Sequence, residues 1–280
     1  MSLFRRALSI SLAGIAVLLL AASCSNRPTY PKERLAELLQ RELTTEGLKT
    51  SVRFIEHTLA VQLAYSDALS AQPEAHQLNI GPNFDDASRK VITVIQRVLM
   101  SSDAEVRFYV LLMSDPKAPG AYFTMVRYMD DVRRAYALML DTPEVFARTI
   151  FELNFVGPNP LTIEQYVPRD IQMEEFLSWQ LARRIQHQLT AELQQAGMAS
   201  VGRCGGQFQN GEFAFTLDVA PTGQTPLDES TIRRVFLTST SVIANVLSSY
   251  HFENYQAVRL IHPLTGRSLL LPKTRLEFFR

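Results

Sequence analysis

The feature that most restricts how this chain can fold is an internal repeat. Arg34-Leu35, Leu39, Glu42-Leu43, Gly47-Leu48 and Ser51-Val52 recur as Arg184-Ile185, Leu189, Glu192-Leu193, Gly197-Met198 and Ser200-Val201, at an offset of 150 that falls to 149 at the end. Val94-Ile95, Val98-Leu99, Ser101 and Glu105 are answered by Val242-Ile243, Val246-Leu247, Ser249 and Glu253 at a constant 148. Two matches at nearly equal offset point to a duplication, and a duplicated chain must bury the same apolar faces twice. With 280 residues, 46% of them hydrophobic and 20% charged, there is material for two cores of ordinary size.

Periodicity gives the elements of each copy. From Pro31, which suits a first helical turn, Leu35, Leu38, Leu39 and Leu43 recur at helical spacing, and Gly47 closes the helix. Val52 and Phe54, then Leu59, Val61, Leu63 and Tyr65, alternate as the strands of a hairpin. A polar loop holding Pro73, Gly81 and Pro82 follows, and Asp85 or Asp86 caps a helix carrying Val91, Val94, Ile95, Val98 and Leu99. Val106 to Met113 reads as a strand buried on both faces, Asp115 to Gly120 as a turn, and Ala121 to Met129 as the returning strand. Helices are expected over Asp130 to Leu140 and near Pro143 to Leu153.

The second copy repeats the order. It gives a helix from Ile171 to Ala196, strands near Ala199 to Gln207 and Glu212 to Val219, and a helix starting between Pro226 and Ser230 and ending near Ser249. A last hairpin runs from Tyr255 to Ile261, turns through Pro263 to Gly266 and returns through Ser268 to Phe278. The expected fold class is therefore α+β. Two tandem helix-hairpin-helix-hairpin modules occupy 34–153 and 171–280, joined by a linker over 154–170, each with helices on one face of a mostly antiparallel sheet.

The N-terminus speaks to compartment. Arg5-Arg6, an apolar run from Ala7 to Ala22 and the tetrad Ala21-Ala22-Ser23-Cys24 form a secretion signal over 1–23, too short and wrongly flanked for a retained membrane helix. With Leu20 in front, the tetrad resembles the lipobox of bacterial lipoproteins. That resemblance implies lipidation at Cys24, cleavage before it, and a lipidated tether over 24–33. It also implies transport to the outer membrane, because Ser25 stands where an Asp favours inner-membrane retention. The protein would then face the periplasm, held there by acyl chains.

Cleavage leaves 26 basic and 28 acidic residues, a net charge of −2 that argues against a nucleic-acid partner. Cys204 is left without an intrachain partner, so the fold cannot depend on a disulfide.

The first copy also resembles the OmpA/MotB-like peptidoglycan-anchoring domains. The residues that carry this are Gly47-Leu48, the strand Leu59 to Leu63, Phe84-Asp85-Asp86-Ala87 opening a helix that ends Val98-Leu99, and Glu105 to Phe108. The family's next feature is a Thr-Asp pair before a Gly, answered here by Ser114-Asp115 and Gly120; its later Arg-Ala is answered by Arg134-Ala135. The resemblance implies that Asp115 and Arg134 hold the ammonium and carboxylate groups of diaminopimelate. The Asn and the Leu-Ser pair of that signature are missing here.

No other chemistry is written locally. His57, His76, His187, His251 and His262 stand at no metal-ligand spacing, no catalytic residue and no cofactor can be named, and His57 and His262 read as exposed loop residues. Gly202-Arg203-Cys204-Gly205-Gly206 precedes a strand rather than a helix, so it reads as a flexible hairpin and not a phosphate loop. The first functional expectation is a non-enzymatic scaffold or anchor in envelope or secretion-system assembly, with outer-membrane or periplasmic protein partners. The second is direct peptidoglycan binding by the first module, and the third is a cell-envelope enzyme whose site is assembled from distant residues.

Overall fold

The computed structural model describes residues 30–72, 77–155, 162–223 and 226–279. Helix α1 (Leu35–Thr45) buries Leu35, Leu38, Leu39 and Leu43. It ends where Gly47 takes a left-handed φ of 77°, which lets the Leu48 amide turn back onto the Leu43 carbonyl at 3.0 Å. Strands β1 (Lys49–Ile55) and β2 (Thr58–Ala64) form the expected hairpin. The loop expected after it contains a second small hairpin, β3 (Leu69–Gln72) with β4 (Gln77–Ile80). Helix α2 (Phe84–Met100) has Asn83 at its N-cap rather than Asp85 or Asp86.

Strands β5 (Phe108–Asp115), β6 (Ala118–Tyr128) and β7 (Ile150–Phe155) complete a five-stranded sheet in the order β1-β2-β5-β6-β7. Between β6 and β7 lie α3 (Met129–Tyr136) and α4 (Thr142–Arg148), the latter capped by Asp141. The helix expected near Pro143 to Leu153 thus stops at Arg148, and its second half is an edge strand paired with β6. Of the expected linker, 156–161 lies outside the described residues. Its remainder is not a free connection: α5 (Ile163–Tyr166) is closed by a Thr162–Gln165 capping box, and Ile163 and Val167 are buried in the core.

Helix α6 (Met173–Leu189) passes into a π turn over Thr190–Gln194 rather than continuing as an α-helix to Ala196. The strand expected near Ala199 to Gln207 divides into β8 (Ser200–Val201) and β9 (Gly205–Gln209), and its partner into β10 (Glu212–Thr216) and β11 (Val219–Ala220). Helix α7 (Glu229–Ser249), β12 (Ala257–His262) and β13 (Arg267–Pro272) follow, and the expected return to Phe278 ends at Pro272, after which α8 (Lys273–Leu276) begins. The second main sheet has the order β13-β12-β10-β9. Both sheets are mixed: β2 pairs parallel with β5 across α2, and β10 parallel with β12 across α7.

Side-chain alternation along the strands fixes the layers. On β5, Tyr109, Leu111 and Met113 enter the core shared with Leu35, Leu39 and Leu43 of α1 and Val91, Ile95 and Val98 of α2. Phe108 and Val110 point the other way, into a core with Phe176, Leu181 and Ile185 of α6 and Phe213, Phe215 and Leu260 of the second sheet. The first sheet is covered on both faces, where cover on one was expected. The order of layers is α1 and α2, first sheet, α6 and α7, second sheet. Gly206 makes the last contact possible: a Cβ there would strike the Ser178 carbonyl of α6 and the Phe215 ring, so this glycine serves close approach rather than flexibility.

Candidate functional site

Cys24 lies outside the described residues. Asp115 and Arg134 lie within them, and the fold does not bring them together. Asp115 closes β5 at its turn into β6, while Arg134 sits in α3 beyond the far end of β6. The eleven residues of β6, at about 3.3 Å each, separate the end of the sheet that holds Asp115 from the end where α3 begins. Asp115 is also 2% exposed and fully engaged, its Oδ2 accepting the Leu69 amide at 3.0 Å and its Oδ1 the Lys117 amide at 2.8 Å. Arg134 faces Asp131 at 3.9 Å. The geometry for a shared diaminopimelate site is absent here, because one member holds a turn and the other pairs across a helix face.

What converges instead is a polar junction between the halves of the chain. Arg148, at the end of α4, donates from Nη1 to Asp131 Oδ1 at 2.9 Å and from Nε to Glu144 Oε1 at 2.6 Å. Its guanidinium lies over the Tyr250 ring, 4.4 Å from the centroid. Tyr250 donates to Asp131 Oδ2 at 2.7 Å, and Gln180 Nε2 donates both to the Tyr250 hydroxyl and to the Arg148 carbonyl at 2.7 Å. Burial outweighs these partners and holds the Asp131 carboxyl above the usual range. Burial first, then the Asp131 charge, raises the Tyr250 phenol steeply. Neither Asp131 nor Arg148 stands out in the sequence, because their partners come from other segments of the chain.

Beside this junction one end of the first sheet carries several exposed apolar side chains. The chain enters there: Tyr30 bridges Ser102, and the Lys32 amide donates to Asp103 Oδ1 at 2.7 Å. At the same end β5 starts, β6 finishes, and the Met129 amide donates to the Arg107 carbonyl at 2.7 Å as α3 begins. Tyr136 of α3 donates to Gln96 of α2 at 3.2 Å. The crest of this end carries Met100, Tyr136, Leu138 and Met139, all exposed, and α4 adds exposed Phe146.

Leu138 is the telling member. It is 92% exposed, and its φ of 58° places a leucine in the left-handed region at the C-terminus of α3. The Met139 amide returns to the Arg134 carbonyl at 2.8 Å, a helix ending in which glycine is the usual residue. A left-handed leucine costs about 1–2 kcal/mol and here buries nothing. Next to Phe146, a groove of about 820 Å³ runs between α4, α6 and α7, lined by Phe151, Arg183, His187 and Asn245 among others.

Two further readings change, and Cys204 gains a setting. His262 is fully buried, its ring nitrogens 2.8 Å from Thr265 Oγ1 and 2.9 Å from the Val219 carbonyl, so it is not an exposed loop residue. The side chain of His57 is 28% exposed and stands against Asp170, a residue its own neighbourhood in sequence does not announce. Cys204 is buried and unpaired, and burial pushes its thiol up to about 11, the reverse of an activated nucleophile. At pH 8 the native thiol is expected to react with a disulfide reagent far more slowly than in urea. A thiol raised in the folded state stabilises below its unfolded value, and that contribution, roughly 2–3 kcal/mol, is lost as pH rises from about 9 through 11. Equal rates in folded and unfolded protein would show the thiol to be accessible.

No family model matches the chain, and no curated protein matches its sequence.

Proposed function

We propose that this protein is a non-enzymatic lipoprotein of the outer membrane, facing the periplasm, that acts as a scaffold for an envelope or secretion assembly. The observation that carries the reading is a coincidence of position. The lipobox cysteine, Cys24, precedes Tyr30 by six residues, which reach at most about 21 Å, and Tyr30 enters the fold at the end that exposes Met100, Tyr136, Leu138 and Met139. An acyl anchor at that point holds this crest against the bilayer, where an exposed left-handed leucine has apolar surroundings to enter. No described helix is long and apolar enough to cross a membrane. In this reading attachment rests on Cys24.

The rest of the surface then faces away from the lipid, toward protein partners. The strand orders β1-β2-β5-β6 and β9-β10-β12-β13, each with a parallel inner pair, support a duplicated module as the source of that surface. The peptidoglycan reading draws no support from the separated Asp115 and Arg134. A Cys24→Ala variant is expected to lose labelled palmitate entirely and to leave the membrane pellet under a carbonate wash. A variant that keeps either property sinks the proposal.

A further inference from the structure

The β1–β2 turn and the segment leading into α6 bring together side chains that no local pattern links. Glu56 and His57 form the two-residue turn, and Asp170 arrives from 113 residues further on, so that one ligand-type atom from each lies within 4.8 Å of the other two. We infer that Glu56, His57 and Asp170 form a binding site for a divalent transition-metal ion, zinc foremost, which clips the first sheet to the segment that launches α6. The inference is independent of the membrane reading.

Three observations carry it. First, His57 Nδ1 is closed off from solvent and takes part in no hydrogen bond, although an imidazole nitrogen removed from water normally finds a partner. Second, it stands 3.5 Å from Asp170 Oδ2. Ligand atoms held about 2.0–2.1 Å from a tetrahedral ion are about 3.4 Å from each other, so this is the edge of a coordination polyhedron rather than a hydrogen bond. Third, among the described residues no arginine or lysine forms an ion pair with Asp170; its one ion-pair neighbour is His57. Two carboxylates and one imidazole suit a 2+ ion of borderline hardness, with a water completing the set.

The supports of a metal site surround these ligands. Thr58 Oγ1 accepts the Ile171 amide at 2.9 Å, which commits its own proton to Asp170 Oδ1 at 2.6 Å. The His57 amide donates to the same oxygen at 3.2 Å, and Gln172 Nε2 to Oδ2 at 3.2 Å. The His57 carbonyl takes the amides of Arg107 at 2.8 Å and Phe108 at 3.2 Å, fixing the turn against the start of β5. Outer contacts of this kind orient ligands before the ion arrives. Bound there, an ion would join positions far apart in sequence and stabilise the layer contact between the first sheet and α6.

The test uses the full-length protein purified in detergent, stripped with chelator and titrated with Zn²⁺ alone by calorimetry. One ion per chain is expected, with a rise in melting temperature that chelator reverses. His57→Gln is expected to weaken binding at least about tenfold, and Glu56→Gln, at an exposed turn position, to do the same should the histidine variant fold poorly. His251→Gln serves as the control for adventitious surface binding and is expected to change nothing. Co²⁺ in place of Zn²⁺ should give the intense visible absorption of a four-coordinate ion, lost in His57→Gln. Failure of the parent protein to bind, unchanged affinity in both turn variants, or loss in His251→Gln alone would overturn the site.

Discussion

Arg148→Ala is expected to lower the free energy of unfolding by about 3–5 kcal/mol at pH 7, the loss that follows when one member of a buried ion pair is removed and the other stays. Arg148 and Asp131 are 4% and 7% exposed at their side chains, so water cannot replace the missing guanidinium. The variant leaves Asp131 with Tyr250 as its hydrogen-bond donor and only the more distant Arg134, at 3.9 Å, as a cation, and also empties the space over the Tyr250 ring. The pH dependence follows from the direction of the Asp131 shift. A carboxyl raised in the folded state stabilises fully below its unfolded value and loses that contribution as pH rises, and removing Arg148 raises it further. The difference between variant and parent should therefore be smaller at pH 4 than at pH 7. Arg148→Lys should recover less than half of the loss, because a single ammonium cannot serve Asp131 and Glu144 with the fork that Nη1 and Nε provide. Urea titrations at the two pH values decide the matter; a loss under about 1 kcal/mol, flat with pH, would mean that the junction is hydrated and carries little.

Elements whose partner is their own periodicity were legible in the sequence. Leu35, Leu38, Leu39 and Leu43 announce α1 because a single face is buried, and Phe108 to Met113 announces a strand buried on both sides because no polar residue interrupts it. The strand β7 was not legible: Phe146, Ile150 and Leu153 keep helical spacing through Arg148, and only pairing with β6 turns Ile150–Phe155 into a strand. The two-sided cover of the first sheet was hidden for a related reason, since α6 shows apolar residues around most of its surface and a sequence does not say which layer meets which side. Sites suffered most. Asp115, followed in sequence by Gly120, imitates a ligand motif yet bonds two backbone amides, whereas Arg148, Tyr250 and Asp170 carry no local mark and acquire their roles only when chain segments far apart in sequence meet.

Whether the two sheets unfold together is decided by α6, and Phe176→Ala is the substitution that asks. Phe176 is fully buried, its ring centroid 5.1 Å from Phe108 of β5, 6.3 Å from Tyr128 of β6 and 6.4 Å from Tyr250 beyond α7. It therefore touches the underside of the first sheet and the edge of the Arg148 junction at once. Truncation leaves a cavity between layers that rigid strands cannot close, and the expected loss is about 3–5 kcal/mol. Leu39→Ala, in the core between α1, α2 and the first sheet, is expected to cost about 2–5 kcal/mol without touching the α6 core. If the layers form one cooperative unit, both variants shift a single transition and its denaturant slope stays that of the parent. If the second sheet folds with α6 alone, Phe176→Ala splits the transition, and the spectroscopic signal of Trp179, on the same helix, moves to lower urea than the loss of total secondary structure. The shared core of Phe108, Val110, Phe176 and Phe213 favours the single transition, because removing α6 would expose one face of the first sheet as well as the packed face of the second.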